Sequence, residues 1–414
     1  MTDNRKYDLI IVGGGPAGLM AAISASRKSA RILVLEKMDS PGRKLLATGG
    51  GRCNMTNLLP KDRLADSFGR HGRFIIPALN SLDPEGLRKF FENLEVPTVC
   101  TDGFHIFPRS QKASDVLQAL LKKAKYLGVE IRSGAKVRNL LIEDSKIAGV
   151  VTDACEFRSG KVLLSTGGRS YPNLGSDGSG YALAKSAGHK IIAPVPALVE
   201  LYCEEKWPGQ CAGITFKNIS LSLSRKDVST GEFLFTHSGI SGPAAMDISG
   251  RVSERLSMHS AVILNLNFFP GTEKNYWMVE FEKWHGHSGK KQVVNLLSEH
   301  LPKKIAAILC SLAGCPEDLE SANFAKSQRE KLAQFLVECP LTIKVTAGFD
   351  RAMVTKGGVS LKEVNPDTLE SRITKGLYFA GEILDLDGPC GGYNLQWAFS
   401  SGHLAGGLNL ETRR

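Results

Sequence analysis

Apolar and polar positions alternate along this chain in blocks that change period. The run Tyr7–Val12 is almost wholly apolar and stops at a glycine cluster, Gly13–Gly18, after which apolar residues follow a helical spacing. That pattern predicts a buried strand, a tight turn and a helix from about Ala17 to Arg27. A second apolar run, Arg31–Leu35, reads as the next strand and ends on Glu36. Helical patterns follow over Pro84–Leu94 and Ser114–Leu127, the latter with a stripe of Val116, Leu117, Leu120, Leu121 and Ala124. Short alternating segments come next: Glu130–Arg132, Lys136–Ile142, Ile147–Thr152, Cys155–Phe157 and Lys161–Ser165. They predict a parallel strand, a small antiparallel meander and a return to the main sheet.

The pattern shifts near Pro194. Strand-like alternation occupies Leu198–Cys203, Ile219–Ser224, Glu232–Phe235 and Val262–Phe268, so residues 194–272 form a β-rich lobe. Residues 273–338 are polar and helical, with amphipathic stretches at Val293–Leu297 and Lys303–Leu312. Strand and turn character returns after Cys339-Pro340, and the run Leu377–Glu382 reads as a buried strand ending in glycine and an acid. The predicted organisation is an insertion. Residues 1–193 and 340–414 build one nucleotide-binding domain, residues 194–272 an inserted β-rich domain closed by a strand near 340–350, and residues 273–338 a small helical subdomain.

The opening block carries the first chemistry. Gly13, Gly15 and Gly18 in G-x-G-x-x-G spacing lie between a strand and a helix, with an acid at the end of the next strand, which is the dinucleotide-binding fingerprint in context. Gly13 permits the tight turn, Gly15 lets backbone approach a pyrophosphate, and Gly18 lets the helix pack on the strand. The helix start at Pro16 and Ala17 presents unpaired N–H groups to the diphosphate, and Glu36 is placed to accept from ribose hydroxyls. The turn Thr166-Gly167-Gly168 lets backbone pass close to a cofactor. The loop Gly175–Gly180 lacks a paired strand with an acidic end, so it is not read as a second dinucleotide site.

Composition narrows the classes. The 414 residues exceed one usual core. The stretch Ala261–Phe269 is interrupted by Asn265 and Asn267, and no apolar run approaches a membrane span. Cleavage of a leader would remove the first strand and the phosphate turn, so a cytoplasmic location is expected. Nine cysteines without a C-x-x-C pair argue against a disulfide reductase. The net charge of +10 is dispersed, which favours a solvated surface over nucleic-acid binding. His285 and His287 read as surface residues, and no metal is expected.

At this point several blocks together resemble the HI0933-like family of bacterial NAD(P)/FAD-dependent oxidoreductases, which includes a bile-acid-inducible ene-reductase. They are the opening fingerprint, Thr48–Asn57, Phe107–Ser110, Phe235–Pro243, Val354–Val359 and Leu377–Gln396. Thr48 stands where the family pattern has Ser, and the hydroxyl is kept. The resemblance implies an α/β fold: a Rossmann-like FAD-binding domain of glutathione-reductase type, with an inserted β-barrel-like lobe and a small helical lobe. It implies non-covalent FAD, NAD(P)H as a transient reductant with no nicotinamide domain of its own, and a small-molecule substrate. It also places Val137 near the adenine.

On this reading Lys37, Arg43, Lys44 and Arg52 lie near the phosphates, and Gly49, Gly50 and Gly51, followed by Cys53 and Asn54, run beside the flavin. Gly381 and Glu382 approach the ribityl chain and pyrophosphate. Gly392, Tyr393, Asn394, Leu395 and Gln396 open the last helix toward the flavin N1/O2 edge. Candidates for substrate chemistry are His237, Arg52, Cys53, Arg109 and Tyr393, with packing as the alternative for Cys53. Each has a plain alternative: Arg52 binding phosphate, Arg109 lying at the surface, Tyr393 covering the ring. His237, in its glycine-rich turn, ranks first as proton donor. A flavin-dependent RNA-modifying enzyme and a FAD-binding sensor without turnover are the competing readings.

Overall fold

The computed structural model describes residues 2–26 and 30–407. Arg27, the expected end of the first helix, and residues 408–414 lie outside the described residues. The chain divides into two units, residues 1–196 with 349–414, and residues 197–348.

The first unit is organised by a five-stranded parallel sheet. Its order is Leu377–Phe379, Val162–Leu164, Leu9–Val12, Ile32–Leu35 and Glu130–Arg132. Central strands are entirely buried, which is why Leu9–Val12 and Ile32–Leu35 read as unbroken apolar runs. The meander lies in a separate sheet, where Val137–Glu143, Lys146–Thr152 and Glu156–Arg158 pair antiparallel in turn. An unforeseen strand, Thr2–Lys6, pairs parallel with its far edge.

Two helices cross at the heart of this unit. The fingerprint helix Pro16–Ala25 and the C-terminal helix Tyr393–Gly406 meet through small residues. A Cβ on Gly402 would stand 2.2 Å from the Ala17 carbonyl oxygen, and one on Gly406 2.4 Å from that of Ala21. Glycine spaced four apart therefore lets the backbones touch. Gly18 does the same on the sheet side, where a Cβ would lie 2.0 Å from the Gly13 carbonyl oxygen.

The second unit is a closed six-stranded barrel whose strands run around it as Leu201–Cys203, Gly239–Ser241, Val228–Phe235, Thr215–Ser222, Val262–Asn267 and Cys339–Thr346. The last strand pairs with both Val262–Asn267 and Leu201–Cys203, so closure requires the chain to return after the helices. Residues 339–348 thus belong with the barrel rather than with the nucleotide domain. The helices Lys274–His287, Val293–Leu297, Lys303–Leu312 and Lys326–Val337 share one apolar core with the barrel. The β-rich stretch also contains the helix Pro243–Leu256, begun by proline at its first turn.

Candidate functional site

Each half of the fingerprint does different work. Gly13 has φ +105°, and a Cβ there would meet the Ser165 carbonyl oxygen at 2.6 Å, so both conformation and space require glycine. Gly15 caps the fingerprint helix with ordinary extended φ/ψ and no side-chain cap. Nothing lies within 4 Å of where its Cβ would stand. Protein packing does not demand glycine at 15; open space at an uncapped helix start does suit an incoming anionic group.

Glu36 sits at the end of its strand, buried, and its carboxylate accepts from Gly14 N–H at 2.8 Å and Met38 N–H at 2.8 Å. Two acceptor positions are used to fix the acid against the turn, and its remaining lone pairs are what a ribose hydroxyl could use. Beyond it, Gly134 N–H donates to the Met38 carbonyl and Ala135 N–H to that of Glu36, both at 2.8 Å. This pairing carries Val137 to the same end of the sheet, where it begins its strand opposite Thr152.

The basic residues have protein partners. Lys37 forms an ion pair with Asp177, and Arg43 pairs with Asp39 at 3.1 Å on the exposed side. Lys44 meets Glu382 at 2.6 Å and Ser170 Oγ at 2.5 Å. Glu382 also accepts from Ser170 Oγ at 2.8 Å and Thr355 N–H at 2.9 Å. Thr355 Oγ1 in turn accepts from Arg169 and Ser170 N–H. This network locks the turn after Gly167 and Gly168, where a Cβ on Gly168 would lie 2.4 Å from Thr355 Oγ1. On Thr166, the hydroxyl occupies the space beside Gly180, whose Cβ would fall 1.9 Å from it.

The Thr48–Asn57 block begins with a left-handed glycine turn and ends in the short strand Thr56–Asn57. Gly49, Gly50 and Gly51 have φ of +57°, +65° and +85°, three successive positions that L side chains avoid. Arg52 is exposed, donates from Nε to the Gly49 carbonyl at 3.2 Å, and lays its guanidinium 4.8 Å from the Phe107 ring centre. Cys53 is fully buried at φ +62°, and burial pushes its thiol up to about 12. It packs and does not offer a thiolate. Asn54, with its amide oriented to satisfy both ends, donates to the Thr56 carbonyl and accepts from Gly392 N–H at 3.1 Å. Arg109 is exposed in the turn after the strand His105–Pro108.

The C-terminal helix delivers the final group. Gly381 N–H donates to Ser401 Oγ at 2.9 Å, the Gly381 carbonyl accepts from Trp397 Nε1 at 3.1 Å, and a Cβ on Gly381 would be 3.0 Å from that of Ala17. Residue 381 is thereby pinned to the start of the fingerprint helix. Gly392 caps the last helix at φ +85° without a side-chain cap, and a Cβ there would fall 2.6 Å from the Thr56 carbonyl. Asn394 clamps the preceding loop, accepting from Gly388 N–H and donating to its carbonyl, each at 2.8 Å. Tyr393 is buried edge-on to Phe68, while Leu395 is packed partly buried against the main core.

Gln396 lies one turn into the last helix. Its side chain is fully buried and donates to the Leu82 carbonyl and Ser400 Oγ, while its N–H donates to Gly392. It braces the helix inside the core, and its buried Oε1 has no hydrogen-bond partner among the described residues.

His237 lies exposed in the barrel unit, in the turn between Val228–Phe235 and Gly239–Ser241. His285 and His287 each direct Nδ1 at a backbone carbonyl. Among the described residues no cluster could hold a metal ion, and no helix is long and apolar enough to cross a membrane. Sequence reasoning missed the Asp102–His105 pair, Nδ1 to Oδ2 2.5 Å, beside the Gly391 turn. The spacing of an acid and a histidine across one turn was its only signal.

The parallel sheet, the glycine-capped fingerprint helix and the inserted barrel define a Rossmann-like FAD-binding fold with a closed six-stranded barrel. The HI0933-like protein Rossmann domain matches residues 7–408, and the chain belongs to that family. It is 37% identical over 409 residues to the 3-dehydro-bile acid delta(4,6)-reductase of Clostridium scindens, covering 97% of this chain and 98% of that one. It is 28% identical to the ribosomal RNA dihydrouridine synthase of Escherichia coli, with 96% of each covered. The solved structure of 3-ketosteroid delta1-dehydrogenase from Sterolibacterium denitrificans aligns with a TM-score of 0.54 at 13% identity, over 97% of this chain and 98% of that one. That last likeness is one of fold.

Proposed function

We propose that the protein is a FAD-dependent oxidoreductase that takes hydride from NADH or NADPH and passes it to an electron-poor C=C bond of an organic acceptor. The observation that carries this reading is the uncapped start of the fingerprint helix, open at Gly15, with Gly381 pinned beside it by the C-terminal helix. A dinucleotide needs an anion site and an extended cradle, and both chain ends contribute to one. The bound flavin would supply hydride chemistry. N–H groups at Gly15, Ala17 and Gly18 bind the diphosphate, Glu36 holds ribose and the Val137 backbone lies at the adenine. Gly49–Gly51, Arg52 and Asn54 flank the ring, and Gly392–Leu395 face its N1/O2 edge. His237 is the proposed proton donor to the acceptor, with Arg52, Arg109 and Tyr393 as further candidates.

The 37% relative supports this acceptor class, because its name describes reduction of ring double bonds. A second reading is supported by the net charge of +10 and the dihydrouridine synthase relative: the acceptor is the uracil C=C of an RNA. Anaerobic addition of NADH or NADPH to the purified yellow protein should bleach the flavin. Reoxidation by a steroid-like dienone supports the first reading; reoxidation only by RNA, with dihydrouridine formed, replaces it with the second. Colour that persists with both nucleotides removes the proposed reductant and favours a sensor without turnover. His237→Ala should lower turnover with flavin retained.

A further inference from the structure

His105 opens the strand His105–Pro108, and Asp102 lies one turn earlier. Asp102 uses both oxygens on this turn: Oδ1 accepts from Phe104 N–H at 3.0 Å and His105 N–H at 2.8 Å, while Oδ2 meets His105 Nδ1 at 2.5 Å. These three bonds hold the Asp102 carboxyl well below the usual carboxylate range, the imidazole bond contributing most. A carboxylate bound at Nδ1 makes that nitrogen the proton carrier and fixes the ring's direction. The other ring nitrogen faces the Gly391 turn, with Nε2 3.6 Å from the position a Gly391 Cβ would take. Register reinforces this: His105 pairs across the strands with Asn57, whose Nδ2 donates to the Gly391 carbonyl at 2.9 Å. Phe104 and Tyr393 close the other sides of the same glycine, each with a ring carbon 3.2 Å from that position.

A surface turn needs no more than the two backbone bonds to Asp102 Oδ1. The third bond aims an imidazole at the Gly391-Gly392 turn, and this placement is the observation that points beyond a turn lock. We propose that His105, oriented by Asp102, donates a hydrogen bond from Nε2 to the pyrimidine edge of the flavin and stabilises the negative charge that reduction leaves there. The inference rests on the FAD reading above. Hydride from the nicotinamide donor carries two electrons and a proton to the flavin, and the donor leaves oxidised. The added charge spreads over the N1–C2–O2 edge, and no bond to His105 forms or breaks. Donation from Nε2 while Nδ1–H is held by Asp102 requires both ring nitrogens to carry a proton, and the Asp102 carboxylate balances that charge. Arg52 packs on the neighbouring Phe107, its guanidinium 4.8 Å from a ring whose centre is 6.3 Å from that of His105.

The test is the midpoint potential of the bound flavin, measured with a reference dye, together with the affinity of the oxidised holoprotein for sulfite. His105→Gln should retain FAD yet shift the reduced-to-oxidised equilibrium about tenfold toward oxidised, ~30 mV for a two-electron couple, and weaken sulfite binding about tenfold. Asp102→Asn should shift both in the same direction by less, and His105→Arg should restore much of the potential. A potential and a sulfite affinity in His105→Gln equal to those of the unaltered protein would overturn the proposal. A purified protein that binds no FAD would instead remove the reading beneath it.

Discussion

The segment Leu9–Gly18 and the segment Val228–Gly242 are both strand-and-turn stretches rich in glycine, but they spend it differently. In the barrel unit, a Cβ on Gly239 would strike the Leu201 carbonyl oxygen at 2.1 Å, and one on Gly242 the Phe233 Cα at 2.9 Å. Both glycines serve strand-to-strand closeness, and the interior is filled by Phe233, Phe235 and Trp207. In the nucleotide unit, Gly13 and Gly18 also serve closeness, while Gly15 touches nothing. One fingerprint therefore contains glycines the fold needs and a glycine it does not. The difference separates structural from functional constraint within six residues.

The largest effect should come from Gly18→Val. Its branched side chain would overlap the Gly13 carbonyl, where overpacking costs ~1–3 kcal/mol in ordinary cores and more against rigid backbone. Soluble expression should be lost. A soluble variant that melts like the unaltered protein would break the distinction drawn above. Phe235→Ala should cost ~3–5 kcal/mol by opening a cavity in the barrel core, read as a lower urea midpoint. The flavin spectrum should persist, because the nucleotide unit has its own core; loss of both together would join the two units energetically.

Glu36→Ala leaves the buried Gly14 N–H and the part-buried Met38 N–H without this acceptor, the first costing ~1–3 kcal/mol. FAD affinity should fall at least tenfold by equilibrium dialysis. Smallest is an acid-limb effect at Asp177. Burial works against its carboxylate, but hydrogen bonds from Lys37 and Ser179 outweigh it and hold the group at about 2, below its ordinary value. A depressed carboxylate stabilises the fold above its unfolded value and loses that contribution as pH falls from about 4 toward about 2. Asp177→Asn should flatten the melting-temperature decline over that window, a difference of a degree or two, since the side chain is partly exposed.

Much of the sheet was legible because its strands are buried on both faces and therefore apolar without interruption. Glu130–Arg132 was read with its observed boundaries despite its polar ends, since its position after a helix demanded a parallel strand. The helix Pro243–Leu256 was not. Its buried face joins Ile248 and Val252 to Ala244, Ala245, Ser249, Gly250 and Ser253, and so many small residues leave a faint apolar stripe. The three-stranded sheet of Thr56–Asn57, His105–Pro108 and Thr98–Cys100 was likewise hidden, because strands of two to four residues are too short to show alternation. In the candidate site, positions set by backbone were readable from glycine, while side-chain destinations were not. Lys44 and Gln396 have chemistry that suits a phosphate or a flavin, and only packing reveals their contacts with Glu382 and Leu82.

The most direct measurement compares Gly15→Val with the unaltered chain, both stripped of flavin and then titrated with FAD. The account predicts equal melting temperatures for the two apoproteins within about 1–2 °C, with FAD uptake lost or weakened at least a hundredfold in the variant. Undiminished FAD binding by Gly15→Val would contradict the claim that this helix start receives the dinucleotide.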